Sequence, residues 1–463
     1  MEIFSNITDF IWNYIVIVVM LLCALWFGFR TRFVQITMLK EMFRAVKRSG
    51  TTVGDRKRNI SSFEAFMISL ASRVGVGNLA GVALAITVGG PGAVFWMWVM
   101  AIVNSVSAFM ESTLAQLYKS RRKDSFIGGP AYYIQKGLHS RTLAVVAVVL
   151  NIFTFSFGTC SVQSNTMAIS NFEAFGISPE ITAVLIAVIM LFIVFGGIRR
   201  IAKFSSVIVP VMAAAYILVA LFVVVVNIRE VPTVLLEIVK NAFGIEQIAG
   251  GSVGAAFMLG TKRGLFSNEA GMGSAPNAAA TADVPHPVNQ GLIQTLGVFV
   301  DTLCICSCTA FIVMLSASDI PDGTTGIALT QYALSKEIGA WAYPFVALII
   351  FIFGFSTCIG NAYYGEANMR FLTNNGNIID LFRIVMVLVV VAGALVSLET
   401  VWVIMDFLMA FMVIVNLVAI TAMGNKVYLL LKNYRMQRKQ GIENPVFRKK
   451  EIPALDVRDV ECW

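Results

Sequence analysis

The sequence predicts an all-α polytopic membrane protein with eleven transmembrane helices, two of them interrupted. Hydrophobic residues make up 57% of the 463 residues and charged residues only 13%, about half the charged share of a soluble domain. Apolar runs of about 20 residues, the length that crosses a bilayer, recur along the whole chain. Two of these runs carry glycines, amides and charges at mid-span. A soluble fold is therefore excluded.

Eleven apolar runs are predicted to span the membrane, and we call the first helix 0 and the others core helices 1 to 10. They cover residues 10–29, 63–88, 91–118, 141–170, 178–198, 202–227, 250–285, 288–317, 339–370, 377–397 and 399–431. The first run lacks a basic leader and a small-residue cleavage site, so we expect a retained helix rather than a signal peptide. The predicted units are an N-terminal helix with its loop (1–59), two five-helix blocks (60–230 and 231–431) and a tail (432–463).

Lysine and arginine predict the orientation of these spans. They concentrate in the segments 30–58, 119–141, 199–203 and 426–458. With eleven spans these segments share one side, and the opposite loops hold only Arg229, Lys240 and Lys336. The positive-inside rule then predicts an inner-membrane protein with its N-terminus outside and its C-terminus in the cytoplasm. We expect the net charge of +8 to face anionic lipid rather than nucleic acid. The polar, proline-containing tail is expected to be a loosely ordered cytoplasmic extension.

Several kinds of function lack the residues they need. The seven cysteines lie mostly inside apolar spans and are expected to be inert thiols, and two histidines, His139 and His286, are too few and too far apart for a metal site. The interrupted spans contain no nucleophile with an obvious histidine partner, which argues against an intramembrane enzyme. There is no GxxxxGK[ST] motif for an ATP-driven pump and no repeated ring of filter residues for a channel.

Core helices 1 and 6 contain segments that are not expected to form straight helices. These are ASRVGVGNLAG at 71–81 and GLFSNEAGMGSAP at 264–276. Unpaired backbone at this depth is tolerated only when it is buried in protein or lines a polar cavity. Close helix packing is the alternative explanation for the glycines. It does not explain the polar residues beside them, which are Arg73, Asn78, Asn268 and Glu269.

The two interrupted helices each open a block of five, and the two blocks start on opposite sides of the membrane. Two five-helix blocks of opposite orientation are typical of an inverted repeat, whose substrate and ion sites form where the broken helices unwind. Free N–H groups at half-helix ends suit a carboxylate, so the runs 75–78 and 271–274 are candidate donors. Freed carbonyls suit a monovalent cation, with the hydroxyls of Ser356 and Thr357 as candidate ligands. Such a pair often bonds to its own helical turn instead.

Charged residues inside the spans are further functional candidates. They are Glu111, Asp301, Glu366 and Asp406, with Arg73, Lys262, Arg263 and Glu269 closer to the interruptions. Some are expected to pair, and Arg263 or Lys262 with Glu269 is the pair that their spacing suggests. A proton-coupled mechanism would need one of the carboxylates to titrate, whereas a sodium site of carbonyls and hydroxyls would not.

Four blocks of the sequence resemble the alanine or glycine:cation symporters. They are GVGNLAGVA at 75–83, GGPAYY at 128–133, GLFSNEAGMGSAPN at 264–277 and YYGE at 363–366. The blocks stretch from core helix 1 to core helix 8 and are specific only in combination. The resemblance implies the leucine-transporter fold, a 5+5 inverted repeat and uptake of alanine- or glycine-like substrates by alternating access. Sodium would be the coupling ion, with no other cofactor. We expect a monomer.

The resemblance also implies roles for individual residues. The substrate would contact Gly75, Asn78, Gln163, Phe266, Ala270, Gly273 and Thr357. Sodium would bind the carbonyls of Ala71 and Val74 together with the hydroxyls of Ser356 and Thr357. This second assignment comes from the wider fold rather than from the family's own motifs.

One position departs from the family pattern. Four residues after Thr357, where the family pattern has a tryptophan, this chain has Asn361. An amide in place of an indole leaves room and adds a donor and an acceptor. One hypothesis is that the pocket accepts a larger polar side chain such as that of glutamine. The other is that neighbouring side chains fill the space and the pocket stays small.

Overall fold

The structure is a computed structural model that describes residues 2–49, 59–122, 125–244, 253–316, 320–321 and 323–463. Within these ranges eight helices are long and apolar enough to cross a membrane. They are Ile3–Thr31, Gly92–Leu117, Arg141–Phe175, Ile201–Val226, Pro287–Ser316, Ala342–Leu372, Gly376–Leu395 and Leu398–Ala422. A ninth is the bent pair Ser62–Arg73 and Gly77–Gly89, whose halves meet at 48°. The chain is therefore a mostly helical, multi-span membrane protein.

Two of the eleven predicted spans are shorter than a full crossing in the described part of the chain. Core helix 4 is the helix Pro179–Val194 and core helix 6 begins as Val253–Asn268, each of 16 residues. The predicted start of core helix 6 at 250 and the predicted end of core helix 7 at 317 lie outside the described residues. So do residues 50–58 and 123–124 of the predicted basic loops.

Short helices and one hairpin connect the spans. The helices are Val34–Thr37, Leu39–Lys47, Pro130–Leu138, Val231–Ala242, Ala275–Ala279, Gly326–Ile338 and Gly424–Lys439, with the 3-10 turn Lys449–Glu451. Strands β1 (Ser120–Arg122) and β2 (Ser125–Ile127) pair antiparallel, with Ser120 opposite Ile127. The predicted all-α fold thus carries a small hairpin in the loop after core helix 2, where the sequence has no apolar periodicity to favour a helix.

Core helix 1 is interrupted where the sequence predicts it. The first half starts with a capping box, because Ser61 and Glu64 each bind the other's backbone N–H. It ends at Arg73, and Val74 is extended, with φ −76° and ψ 94°. The chain resumes as a π-helical segment, Gly77–Gly81. Such segments widen a helix by one residue per turn and are frequent at functional sites.

Core helix 6 is interrupted by left-handed backbone. Helix Val253–Asn268 ends, and Glu269, Gly271 and Gly273 follow with φ of 56°, 79° and 82°. Glycine adopts these angles without the penalty that a side chain brings. A short helix, Ala275–Ala279, then restarts with proline in its first turn. The prediction of two interrupted helices is confirmed.

The spans pack around a polar interior. Core helices 6 and 7 both pack along core helix 2, and core helix 3 packs along core helices 8 and 9. Large apolar side chains on core helices 4, 5 and 9, such as Phe192, Leu218 and Leu388, are exposed and form a lipid-facing surface. The fully buried residues include many amides, hydroxyls and carboxylates near the two interruptions. Buried groups of this kind need partners inside the protein, since lipid offers none.

The pairing expected of Glu269 with Arg263 or Lys262 is wrong. Arg263 forms a short ion pair with Asp406 of core helix 10, and Lys262 lies 2.6 Å from a carboxylate oxygen of Asp9. Six residues along a helix rotate a side chain by about 600°, which leaves Arg263 and Glu269 about 120° apart around the helix axis. The chain also turns at Glu269. These cations therefore fasten core helix 6 to core helix 10 and helix 0.

The tail is not loosely ordered, contrary to expectation. The helix Gly424–Lys439 extends core helix 10 after a single intervening residue, Met423, and later residues fold back onto the bundle. The Phe447 N–H donates to the Pro285 carbonyl at 2.9 Å, and the Trp463 indole donates to the Gln116 carbonyl at 2.9 Å. Its composition is polar, but these aromatic side chains supply the apolar surface that holds it.

A buried lysine is enclosed by the folded tail. The Lys119 ammonium lies 4.6 Å from the centre of the Trp463 ring and donates to the Ala282 carbonyl at 2.9 Å. Burial lowers the pKa of Lys119 to about 8. Lys136 pairs with Glu461 at 2.8 Å. The tail and the loop after core helix 2 therefore share one end of the bundle.

We expect Asp406→Asn to destabilise the protein strongly. It leaves the buried guanidinium of Arg263 without a carboxylate, and such a loss costs about 3–5 kcal/mol. The thermal unfolding midpoint of the purified protein in detergent measures this. Asp380→Asn is the matched control, because its half-exposed pair with Arg383 is worth about 1 kcal/mol or less. Equal midpoints for the two variants would contradict the assignment.

Candidate functional site

The interruption of core helix 1 exposes backbone N–H groups that side chains bind. The Gly75 N–H donates to Asn78 Oδ1 at 2.8 Å, and the Val76 N–H donates to Gln163 Oε1 at 2.9 Å. A Cβ on Gly75 would lie 2.4 Å from Thr357 Oγ1 and 2.9 Å from Gln163 Oε1. Only glycine therefore fits at position 75. Four of the predicted substrate-contacting residues meet here.

Two carbonyls freed by the same interruption point at a hydroxyl of core helix 8. Thr357 Oγ1 lies 2.9 Å from the Ala71 carbonyl and 3.3 Å from the Val74 carbonyl. Three of the four predicted sodium ligands are thus adjacent. Ser356 is not among them, because its hydroxyl donates to the Phe353 carbonyl of its own turn at 2.9 Å.

The interruption of core helix 6 is bound by a carboxylate of core helix 2. The N–H groups of Gly271 and Gly273 donate to the two oxygens of Glu111 at 3.2 and 2.9 Å, and Asn416 of core helix 10 donates at 2.7 Å. The sequence predicted these N–H groups as free donors for a substrate. The structure gives them an internal partner and places Gly273 beside Asn416 rather than beside Asn78.

A second carboxylate links the two interruptions. Glu269 accepts from Ser72 of core helix 1 at 2.7 Å and from Ser274 at 2.5 Å. The Ser72 oxygen also lies 2.7 Å from Asn361 Oδ1. The Asn361 Nδ2 is buried and has no hydrogen-bond partner among the described residues. One end of the Asn361 amide is thus left open beside the interruptions.

A third carboxylate joins core helix 7 to both interrupted helices. Asp301 accepts from Asn78 Nδ2 at 2.7 Å, from Ser267 Oγ at 2.7 Å and from Thr302 Oγ1 at 3.1 Å. Asp301 lies in the π-helical segment Phe299–Cys306 and is fully buried. Every hydrogen-bond donor to its carboxylate in the described part of the chain is neutral.

The other predicted pocket residues lie in two different places. The Phe266 ring packs 4.7 Å from the Trp402 ring, and a Cβ on Gly77 would lie 2.8 Å from it. Phe266 therefore borders the core helix 1 interruption. Ala270 packs among small residues of core helices 2 and 7, and its carbonyl accepts from Asn104 at 2.7 Å. It borders the other interruption.

Three of the four motif blocks meet around Asn277. A Cβ on Gly129 would lie 2.3 Å from Asn277 Oδ1, and φ at Gly129 is 129°. The Tyr363 hydroxyl lies 3.4 Å from the Asn277 carbonyl, and Asn277 Nδ2 donates to Ser274. The blocks at 128–133, 264–277 and 363–366 are thus one structural unit that supports the core helix 6 interruption.

Sequence reasoning missed several polar neighbours of the interruptions. Asn104 and Asn416 bind carbonyls of the core helix 6 turn, at Ala270 and Gly271. Ser72 bridges Glu269 and Asn361. Single amides and hydroxyls inside an apolar span carry a weak signal, and only their intramembrane position marks them. The resulting arrangement offers donors, carbonyls and hydroxyls in a buried site, which suits binding of a small polar solute and a cation.

We expect Glu111→Gln to lower thermal stability. Glutamine accepts through one oxygen only and leaves one backbone N–H of the core helix 6 turn unpaired, which costs about 1–3 kcal/mol. The unfolding midpoint in detergent measures this. Ser112→Ala is the matched control, since the neighbouring Ser112 hydroxyl is buried without a partner among the described residues. A midpoint for Glu111→Gln that is no lower than that of the control would contradict the role assigned to the Glu111 carboxylate.

Comparison with known proteins identifies the family. The model of the sodium:alanine symporter family matches residues 1–449. The amino-acid carrier protein AlsT of Bacillus subtilis is 49% identical, over 98% of this chain and 96% of its own length. The probable sodium/glutamine symporter GlnT of the same organism is 48% identical, over 98% and 94%. The sodium/alanine symporter AgcS of Methanococcus maripaludis is 35% identical, over 95% and 98%.

Solved structures support the fold. A manganese transporter mutant of Eremococcus coleocola superposes with a TM-score of 0.52 at 12% identity, over 80% of this chain and 75% of that chain. At this identity the likeness concerns the fold alone, which is that of the leucine-transporter type. The family's members are transporters rather than enzymes. The chain belongs to the sodium:alanine symporter family, the sodium-coupled symporters of amino acids.

Proposed function

We propose that this protein imports small neutral amino acids, alanine or glycine, together with sodium by alternating access. The observation that carries the proposal is the interruption of core helix 1, where Asn78, Gln163 and Thr357 converge on Gly75. The N–H groups of Gly75 and Val76 suit a substrate carboxylate. A substrate would take these donors from Asn78 and Gln163, which then become available to the substrate's ammonium group.

The same interruption supports a sodium site. Three hard oxygen atoms are grouped there, because the carbonyls of Ala71 and Val74 both lie within hydrogen-bond distance of the Thr357 hydroxyl. Ser356 would join as a fourth ligand once its hydroxyl turns away from Phe353. One segment of core helix 1 carries both the carbonyls proposed for sodium and the N–H groups proposed for the substrate. Binding of sodium would therefore organise the backbone that receives the substrate. That coupling is what a symporter requires.

We extend the proposal to topology and assembly. Eleven spans, with core helices 1–5 (60–230) and 6–10 (231–431) as inverted repeats, account for two interrupted helices that each open a block. The Arg30 guanidinium lies 3.0 Å from Asn425, and Lys136 pairs with Glu461. Three of the basic segments therefore share one end of the bundle. This supports an outside N-terminus and a cytoplasmic C-terminus, with basic residues facing anionic lipid. We propose that the transporter works as a monomer.

A second candidate substrate is glutamine. The unpartnered end of the Asn361 amide, buried beside the interruptions, favours a substrate whose side chain carries a hydrogen-bonding group. The name of the Bacillus subtilis relative, a probable sodium/glutamine symporter, points the same way. Proton coupling is the less supported alternative, because the three oxygens at Thr357 suit sodium and need no titrating group.

Asn78→Ala is expected to abolish sodium-driven uptake. The variant loses the acceptor for the Gly75 N–H and the donor to Asp301. Uptake of labelled alanine by purified protein in liposomes, with and without an inward sodium gradient, measures this. Thr295→Val is the control, since among the described residues the buried Thr295 hydroxyl bonds only to its own turn. Unchanged gradient-driven uptake in Asn78→Ala would contradict the placement of the substrate site at the interruption of core helix 1.

Competition for labelled alanine uptake distinguishes the two substrates. If the pocket at Asn361 takes a polar side chain, glutamine is expected to compete as strongly as alanine does. Glycine and serine are expected to compete too. Asn361→Trp replaces the amide with a larger indole, so it is expected to weaken competition by glutamine about tenfold or more, equivalent to about 1.4 kcal/mol, and to spare alanine. Competition by glycine and alanine alone in the unchanged protein would leave only the small-substrate assignment.

A further inference from the structure

A cleft of about 200 Å³ lies at the end of the bundle where the tail folds, and three cationic side chains line it. Lys136 belongs to the helix Pro130–Leu138, Arg141 is the first residue of core helix 3, and Arg370 lies in the last turn of core helix 8. The lining contains no carboxylate among the described residues. The interruptions of core helices 1 and 6 contribute nothing to this cleft, so it is separate from the proposed transport site.

The three cations differ in how their charge is balanced. Arg370 pairs with Glu366 at 2.6 Å, on its own helix. Arg141 forms no ion pair in the described part of the chain, and its Nη1 donates to the neutral amide of Gln135 at 2.8 Å. Lys136 is balanced only by a carboxylate of the tail. The cleft therefore carries positive charge that the bundle itself does not neutralise.

The tail places an anionic group at one corner of the cleft. The carboxylate of Glu461 lies 2.8 Å from Lys136 Nζ, which also donates to the Ser120 hydroxyl at 2.6 Å. The Ser120 hydroxyl bonds in turn to the same carboxylate. The Glu461 side chain is 56% exposed, and ion pairs this exposed are weak. This carboxylate shows how an anionic oxygen is bound here, and a more highly paired anion is able to displace it.

The side chains of the cleft suit a phosphate group. Arginine presents a planar fork that matches phosphate oxygens, and lysine adds a compact positive charge. The Arg141 guanidinium lies 4.3 Å from the centre of the Phe371 ring, which packs 5.2 Å from the Tyr132 ring. Sites for larger organic ligands have volumes of about 300–1,000 Å³. The smaller cleft suits a headgroup rather than a nucleotide.

The position of the cleft favours a lipid as the source of this phosphate. Val146 and Val149 follow Arg141 on core helix 3 by five and eight residues, about 8 and 12 Å along the helix axis. Both are exposed, as are Phe153 further along and Leu372 at the end of core helix 8. Exposed apolar side chains on membrane spans contact acyl chains. Basic pockets between spans on the cytoplasmic side are typical sites for anionic headgroups.

We propose that this cleft binds the phosphate of an anionic phospholipid of the cytoplasmic leaflet, with Lys136, Arg141 and Arg370 as its ligands and Glu461 as the group it displaces. The inference goes beyond the proposed transport function. A general attraction between basic segments and anionic lipid would require neither a cleft nor a particular lysine. Binding here would also release the end of the tail from the helix Pro130–Leu138.

The test is a titration of the purified full-length protein in an uncharged detergent. Phosphatidylglycerol is the probe, and the unfolding midpoint at each lipid concentration reports binding by mass action. We expect phosphatidylglycerol to raise the midpoint at lower concentrations than phosphatidylcholine, whose ammonium group cancels its charge. Inorganic phosphate, in a parallel titration, tests the other source of the same chemistry.

Two double variants separate the cleft from the rest of the basic surface. Lys136→Gln with Arg141→Gln is expected to raise the half-saturating concentration of phosphatidylglycerol about tenfold or more. Lys432→Gln with Lys439→Gln is the matched control, because it removes two exposed cations of the helix Gly424–Lys439 that lie outside the cleft. The control is expected to leave that concentration unchanged.

A third variant tests the displaced carboxylate and does not depend on loss of binding. Glu461→Gln removes the competing anion, so the half-saturating concentration of phosphatidylglycerol is expected to fall about two- to fivefold, as for loss of an exposed ion pair. Asp456→Asn is its matched control, since it removes the same charge from the tail but pairs with Arg458 of the tail itself.

Each contrary result overturns a stated part of the proposal. Equal weakening in the two double variants would show a diffuse electrostatic surface instead of a site. Equal effects of Glu461→Gln and Asp456→Asn would contradict the displacement of Glu461. Stabilisation by inorganic phosphate at the same concentrations as by phosphatidylglycerol would assign the cleft to free phosphate. None of these measurements requires transport, so a failure of the proposed uptake function leaves them interpretable.

Discussion

The structure depends on one constraint, which is that backbone groups released by an interrupted helix must be hydrogen-bonded by the protein itself. The bilayer core contains no water to do so. Glu111 performs this role for Gly271 and Gly273, and Gln163 performs it for Val76. Each of these side chains holds a position that a charged or polar ligand is suited to take. The side chains that bind these N–H groups are thus the groups that the proposed substrate would have to displace.

The interruptions are connected to each other by two separate polar chains. One runs from Ser72 of core helix 1 through Glu269 to Ser274, and the other from Asn78 through Asp301 to Ser267. In a low-dielectric interior such networks are strong when every member is satisfied and costly when one is not. A shift of core helix 1 therefore changes the hydrogen bonding of core helix 6. This provides a physical basis for concerted movement of the two helices.

Composition and residue periodicity predict the membrane class and both interruptions, because glycine and proline act locally on the backbone. That Gly75 and Thr357 lie in one cluster also agrees with the motif positions. Pairings across helices do not. Arg263 with Asp406, and Glu111 with the core helix 6 turn, join residues more than 140 positions apart, and no local pattern specifies such partners. The folded tail was missed because Phe447 and Trp463 are isolated aromatic residues in a polar segment.

The folded tail has a mechanical consequence. Through Phe447 it is fastened to the connection before core helix 7, and through Trp463 to the end of core helix 2. Opening of this end of the bundle would either separate these attachment points or move the tail together with them. The fluorescence emission of the Trp463 indole would therefore change when the ring leaves its packed position and becomes exposed to water.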